Sequence, residues 1–251
     1  MQRLICKIGL AFLLSQPVLS LADDGVLLIP SQRYATQYLA LRDTGTLSKI
    51  GDLVRAIDPD FKLVAKECGV INAWYSPQSK TITVCYELMQ DGDSFVDSQY
   101  KRENPATQAW LKSGIFFWVL FHELGHAIIH LNEVPIIGGE EDAADRIATI
   151  TLLEFTKNNP VQGKVMLVGD LAYTWSRKSD ILDKLLSGRQ MYANEHPMNE
   201  QRVFNIICLA YGSNPALFVD TARQLKLPSE RAVRCQREYI QTNAAVKELL
   251  N

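Results

Sequence analysis

His122, Glu123 and His126 stand as His-Glu-x-x-His inside the stretch Phe121-His122-Glu123-Leu124-Gly125-His126. Residues four apart share one face of a helix, so both imidazoles can reach a single metal ion. Glu123 follows the first ligand directly and lies beside the ion, where a general base can take a proton from a metal-held water. A catalytic zinc site uses three protein ligands and keeps one position for water. The third ligand is expected from the acidic run Glu140-Glu141-Asp142-Ala143-Ala144-Asp145. Glu141 and Asp145 are four apart and share a face. Glu141 is assigned to the metal, and Asp145 to a hydrogen bond that fixes the tautomer of a ligand imidazole. Glu140 is the alternative ligand; otherwise it and Asp142 point elsewhere and favour the positive end of the helix dipole. His130 continues the histidine stripe, but about 12 Å of helix rise separates it from His122, too far to share the ion. It is read as a helix-face residue or one standing behind the ligands.

These residues need a buried helix to aim them. Asn104-Pro105 reads as a cap followed by proline at the first helical position, and the helix it starts runs to Leu131. It contains Ile115-Phe116-Phe117-Trp118-Val119-Leu120-Phe121 and is apolar all round, which places it in the middle of a domain. His122, Glu123, His126 and His130 argue against a membrane span, and the apolar flanks argue against two solvated histidines. Pro135, Gly138 and Gly139 make a turn, and Glu140 to Phe155 is expected as the next helix, returning antiparallel. Acids are common in first helical turns without any metal; beside a His-Glu-x-x-His helix the cluster reads as part of the site.

Before this helix the pattern is β-rich. Short strands are expected at Val26 to Ile29, Phe61 to Ala65, Val70 to Tyr75 and Thr81 to Tyr86, with helical spacing at Leu47 to Ile57. The last two strands form a hairpin around Ser76-Pro77-Gln78-Ser79-Lys80. Thr81 to Tyr86 is the expected edge on which an extended peptide would add by β-pairing. After Asn158-Asn159-Pro160, helices are expected at 161–176, 179–189, 197–211, 215–225 and 229–249.

Arg3 and Lys7 precede an apolar run from Ile8 to Leu14, and Ser20-Leu21-Ala22 supplies small residues before a cut ahead of Asp23. Residues 1–22 therefore read as a secretory signal peptide, too short and interrupted for a stable membrane span. Its removal takes away two bases and leaves 24 against 28 acids. That balance, with no basic patch, excludes a nucleic-acid binder. Residues 23–251, taken from a chain that is 47% hydrophobic, are long enough to bury a sizeable core and show no linker, so a single domain is expected. Four cysteines remain after export. An even number in an exported chain favours disulfides, and Cys68–Cys85 and Cys208–Cys235 are the favoured pairs. A four-cysteine zinc site is disfavoured by wide spacing and the lack of Cys-x-x-Cys.

The Glu-x-x-x-Asp arrangement of Glu141 and Asp145 resembles that of the gluzincin metallopeptidases, whose third zinc ligand is the glutamate. The mature chain also resembles a bacterial family of metallopeptidase-like proteins of unknown function. The matching stretches are Glu67-Cys68-Gly69, Asn72-Ala73-Trp74-Tyr75, Cys85-Tyr86-Glu87-Leu88, His122 to His126, Glu140 to Asp145, and His196 through Gln201-Arg202 to Cys208-Leu209-Ala210-Tyr211-Gly212. The resemblance implies an α+β, zincin-like fold: a small antiparallel sheet over an active-site helix, with a largely helical C-terminal half. It also favours a periplasmic destination over a secreted one, and names no substrate.

The expected function is hydrolysis of peptide bonds by an exported enzyme holding one Zn2+ per chain, with a zinc-activated water and Glu123 as general base. The substrate is then a peptide or protein; nothing in the residues sets the oligomeric state. His196, with Tyr192 and Arg202 behind it, is the candidate oxyanion stabiliser, or alternatively a cap of the following helix. The competing reading is a catalytically silent, zinc-stabilised binding or sensory protein of the cell envelope. Glu123 favours catalysis, because a structural zinc site needs no base.

Overall fold

The computed structural model describes residues 25–45, 47, 50–51, 58–177 and 199–249. The expected signal peptide, most of the expected helix at Leu47 to Ile57, the expected helix at 179–189, and Tyr192 and His196 lie outside the described residues.

The chain opens with strand β1 (Val26–Leu28) and helix α1 (Ala35–Thr44), followed by β2 (Lys62–Lys66), β3 (Ala73–Ser76) and β4 (Thr81–Cys85). Among the described residues seven helices follow: α2 (Tyr86–Gln99), α3 (Pro105–Leu131), α4 (Glu140–Phe155), α5 (Pro160–Ser176), α6 (Asn199–Ser213), α7 (Pro215–Gln224) and α8 (Ser229–Leu249). The class is α+β, with the helices concentrated after the sheet.

The sheet order is β1-β2-β4-β3. It is mixed, not antiparallel throughout as expected. Only β3 and β4 pair antiparallel, as the turn at 77–80 requires, whereas β1–β2 and β2–β4 are parallel. Hydrophobic alternation reports which face of a strand is buried, not which distant strand lies beside it. β4 is central: Ile82, Thr83, Val84 and Cys85 are all buried, as suits a strand covered on both faces. The edge beside β4 is therefore β3, which overturns the expectation that Thr81 to Tyr86 presents the free edge.

Both expected disulfides are present. Cys68–Cys85 ties the chain just past β2 to the end of β4, and Cys208–Cys235 ties α6 to α8. Helices α1 and α2 were not legible from the pattern. No side-chain cap marks the start of either, and α2 begins directly at the end of β4, so the strand signal runs into it.

α3 is the axis of the molecule. Asn104 caps it by accepting a hydrogen bond from the Thr107 N–H at 3.0 Å, and Pro105 occupies the first turn. Its apolar residues bury against α4 and α5, with α2 and β3 completing the surround. By length and composition α3 could cross a membrane; here Leu111, Ile115, Leu120, Leu124 and Ile128 are instead buried among other helices. Each such side chain contributes about 1.5–3 kcal/mol relative to exposure. The interior of α3 therefore positions His122, Glu123, His126 and His130 in its second half.

Candidate metal centre

His122 and His126 project from successive turns of α3, and Glu141 from the first turn of α4. The two helices come close because Gly125 lies between the histidines: a Cβ there would sit 2.9 Å from the Ala144 Cα. The missing side chain lets α4 approach until the Glu141 carboxylate meets both imidazoles. His122 Nε2 lies 3.2 Å from His126 Nε2 and 3.2 Å from Glu141 Oε2, and His126 Nε2 lies 3.4 Å from Glu141 Oε1. Ligand atoms bound to a tetrahedral zinc at about 2.0–2.1 Å stand about 3.3–3.4 Å from one another. The two imidazole nitrogens already have close to that spacing, and the Glu141 carboxylate turns one oxygen to each of them.

The donor chemistry points the same way. His122 Nδ1 lies 2.8 Å from Asp145 Oδ1, and His126 Nδ1 lies 2.7 Å from Glu140 Oε1. A carboxylate accepts, so each Nδ1 carries the proton and each Nε2 keeps its lone pair. Two lone pairs and a carboxylate converge on one point, which is favourable only with a cation or an added proton between them. Burial disfavours a charged His122, yet the Asp145 and Glu141 carboxylates outweigh it and push its pKa up to about 9. His126 is raised likewise by Glu141 and Glu140 against the effect of burial. Burial also opposes ionisation of Glu141, but the two imidazoles hold it well below the usual carboxylate range. The residues fit a zinc ion.

A family described as "Putative metallopeptidase" matches residues 31–250. The chain belongs to this family. No curated protein matches it significantly, and neither does any solved structure.

Around the three donors, this family member builds a layered support. Asp145 is 3% exposed and receives Arg202 in a two-pronged ion pair, with Nε and Nη2 each donating at 2.8 Å. Arg202 and His122 together hold Asp145 below the usual carboxylate range although burial opposes them. The Arg202 guanidinium also lies over the Trp118 ring, 5.4 Å from its centre. Trp118 in turn stacks on the His122 imidazole, with ring centres 5.5 Å apart and planes 22° from parallel. His122 is thus fixed from its edge by Asp145 and across its face by Trp118.

Glu123 faces the same cleft from the sheet side. Its Oε2 accepts the Tyr75 backbone N–H at 2.8 Å, a bond from the β3 edge that fixes the carboxylate in place. The Tyr75 hydroxyl contacts His130 Nδ1 at 2.9 Å, so His130 stands behind the strand residue that holds the base and takes no place among the metal donors. The cleft has a volume of about 460 Å³. Ile71, Asn72, Ala73 and Trp74 line it on one side, and Trp118, Asp170, Thr174 and Arg202 on the other.

Of the residues singled out in the sequence, the structure brings together His122, Glu123, His126, Glu141 and Asp145. His196 lies outside the described residues. Glu140 was expected to be either a ligand or turned away; it does neither, and stands on the outer nitrogen of His126. Asp142 pairs with Arg146 at 2.8 Å and accepts from Asn205 at 3.0 Å. Arg202 was placed behind His196, but its observed partner is Asp145. Trp118 and Asp170 were not anticipated. Trp118 is one helical turn before His122 and was accessible to the four-residue spacing rule; Asp170 has no local signal.

Proposed function

We propose that this protein is an exported zinc-dependent peptidase. The observation that carries the reading is the convergence of two imidazole Nε2 atoms and the Glu141 carboxylate at 3.2–3.4 Å, with a fourth side chain, Glu123, held free of that triad by the β3 backbone. A structural metal site has no use for such a carboxylate; a hydrolytic one requires it.

His122, His126 and Glu141 would hold the zinc. When bound, zinc would supply Lewis-acid chemistry, lowering the pKa of a water and polarising a carbonyl. Asp145 and Glu140 keep the two imidazoles in the tautomer that leaves Nε2 free. Glu123 takes the proton of the water as its oxygen attacks the peptide carbonyl carbon, then delivers that proton to the leaving nitrogen as the C–N bond breaks. The β3 edge would align the substrate. Alternation places the outward N–H and C=O of Ala73 on the same edge as the Tyr75 N–H that binds Glu123, so an extended peptide can pair there beside the base. His196 is assigned to the oxyanion on the sequence argument alone. Export is supported by the two disulfides, which persist in oxidising compartments.

Elemental analysis of the wild type, Glu141→Ala and Glu123→Gln, alongside digestion of a peptide mixture, tests the proposal. One zinc per chain is expected in wild type and Glu123→Gln, less in Glu141→Ala, with cleavage by wild type alone. A wild type that takes up no zinc when supplied with it, or cleavage that survives Glu123→Gln, would overturn it.

A further inference from the structure

Two buried polar atoms in the cleft wall have no hydrogen-bond partner among the described residues: the Trp118 indole Nε1 and Asp170 Oδ2. Both residues line the cleft that holds His122, Glu123 and Glu141, and they are only 3% and 1% exposed. A buried donor or acceptor left unmade is costly, and in folded proteins nearly all are paired. The neighbouring polar groups are already committed. Arg202 gives Nε and Nη2 to Asp145, Arg177 pairs with Asp91, and Tyr173 donates to Asp91 at 2.6 Å. The Thr174 hydroxyl serves the Asp170 carboxyl within α5, so what remains in the cleft of the candidate metal donors is the Trp118 N–H on α3 and the second carboxyl oxygen, Oδ2, of Asp170.

We propose that this wall is a subsite for a substrate residue bearing a carboxamide, asparagine or glutamine, whose carbonyl accepts from Trp118 Nε1 and whose NH2 donates to Asp170 Oδ2. The inference rests on the peptidase reading above and names the side chain it selects. A carboxamide is the side-chain group that offers one strong acceptor and one strong donor without charge. A cationic side chain finds no free carboxylate on this wall, because Asp145 and Asp91 are taken by Arg202 and Arg177. Burial also pushes Asp170 up to about 8, so near neutral pH its carboxyl carries little charge to hold a cation. An anionic side chain would meet the Glu141 carboxylate, with both wall arginines already engaged by carboxylates. A large apolar side chain would cover both atoms and satisfy neither, the situation in which a hydrogen-bonding site discriminates most strongly.

The test uses the full chain, zinc-loaded and carrying Glu123→Gln so that substrate survives. The probes are two extended peptides identical except for Gln or Leu at one central position, placed in turn at each site. The indole N–H resonance of Trp118 is assigned by its loss in Trp118→Phe. The Gln peptide is expected to bind at least about 10-fold more tightly than its Leu partner at one position, and to shift the Trp118 indole resonance, which the Leu peptide leaves unmoved. Asp170→Leu should abolish or reverse that preference, and Asp170→Asn, which keeps a carbonyl acceptor, should retain it. Equal binding of the two peptides at every position, or a Trp118 resonance unmoved by the Gln peptide because an ordered water already occupies the site, would overturn the proposal. The comparison of the two peptides in the Glu123→Gln chain stands even if Asp170→Leu fails to fold. Selective binding by a protein that cleaves nothing would uphold the subsite and defeat the peptidase reading; cleavage without selectivity would do the reverse.

Discussion

Asp145→Ala separates the two jobs of the most connected residue in the site. The Asp145 carboxylate lies 2.8 Å from His122 Nδ1 and receives both prongs of Arg202 at 2.8 Å. Losing the first contact frees His122 to rotate or change tautomer, and partners of this kind typically control metal affinity by about 10–100-fold, or about 1.4–2.8 kcal/mol. Losing the second leaves a largely buried guanidinium without its counter-ion, and breaking one half of a buried pair costs about 3–5 kcal/mol. For a chain of this size that corresponds to a fall in Tm of roughly 6–20 °C. The two effects come apart in the double variant Asp145→Ala with Arg202→Leu. Removing the stranded charge should recover much of the metal-free stability but none of the zinc affinity, because His122 still lacks its acceptor. Zinc affinity would be read by competition with a chromophoric chelator, and stability by thermal and urea unfolding of the metal-free protein. A double variant less stable than Asp145→Ala would refute the stranded-charge argument, and unchanged zinc affinity in Asp145→Ala would refute the role on His122.

Gly125→Ala should weaken zinc binding and destabilise the protein by about 1–3 kcal/mol, since the new Cβ would stand 2.9 Å from the Ala144 backbone; wild-type affinity would show that α4 can retreat without moving Glu141. His130→Ala should retain one zinc per chain, measured by elemental analysis, because His130 contacts Tyr75 and not the donors; lost zinc would place it in the ligand set. Asp170 holds its proton more tightly in the folded chain, at about 8, than unfolded, near 3.9. Its contribution to stability is therefore fully present below about pH 4 and declines by up to about 1.4 kcal/mol per pH unit until it is gone above about pH 8. Asp170→Asn should flatten that part of the urea-midpoint profile between pH 5 and 8; an unchanged slope would remove Asp170 as its source.

The sequence by itself determined what one helix and its successor can express. The four-residue spacing of His122 and His126, the offset of Glu123, and the shared face of Glu141 and Asp145 all follow from helical geometry, which is local and fixed. The hairpin of β3 and β4 was legible because a short turn forces adjacent strands together, and both disulfide pairs were picked out of the three connectivities that four cysteines allow. The tertiary structure decided everything that depends on which distant segments meet. The parallel partner of β4 is β2, with β3 between them in the chain, and that pairing leaves no trace in the alternation of β4, so the sheet edge facing the cleft is misplaced by one strand in the sequence reading. Helix phase leaves Glu140 either as an alternative ligand or pointing away, yet a flexible carboxylate at the start of α4 reaches back to the outer nitrogen of His126 once Gly125 lets the helices approach. Arg202 on Asp145 spans 57 residues, and the tie from Tyr75 to Glu123 spans 48. Asp170 gives no warning in sequence, because an aspartate in an apolar helix gains its meaning only from the buried cleft around it. Metal-ligand spacing is written in helix periodicity; the groups that tune those ligands, hold the base and shape the substrate pocket arrive through packing, and packing is a property of the whole fold.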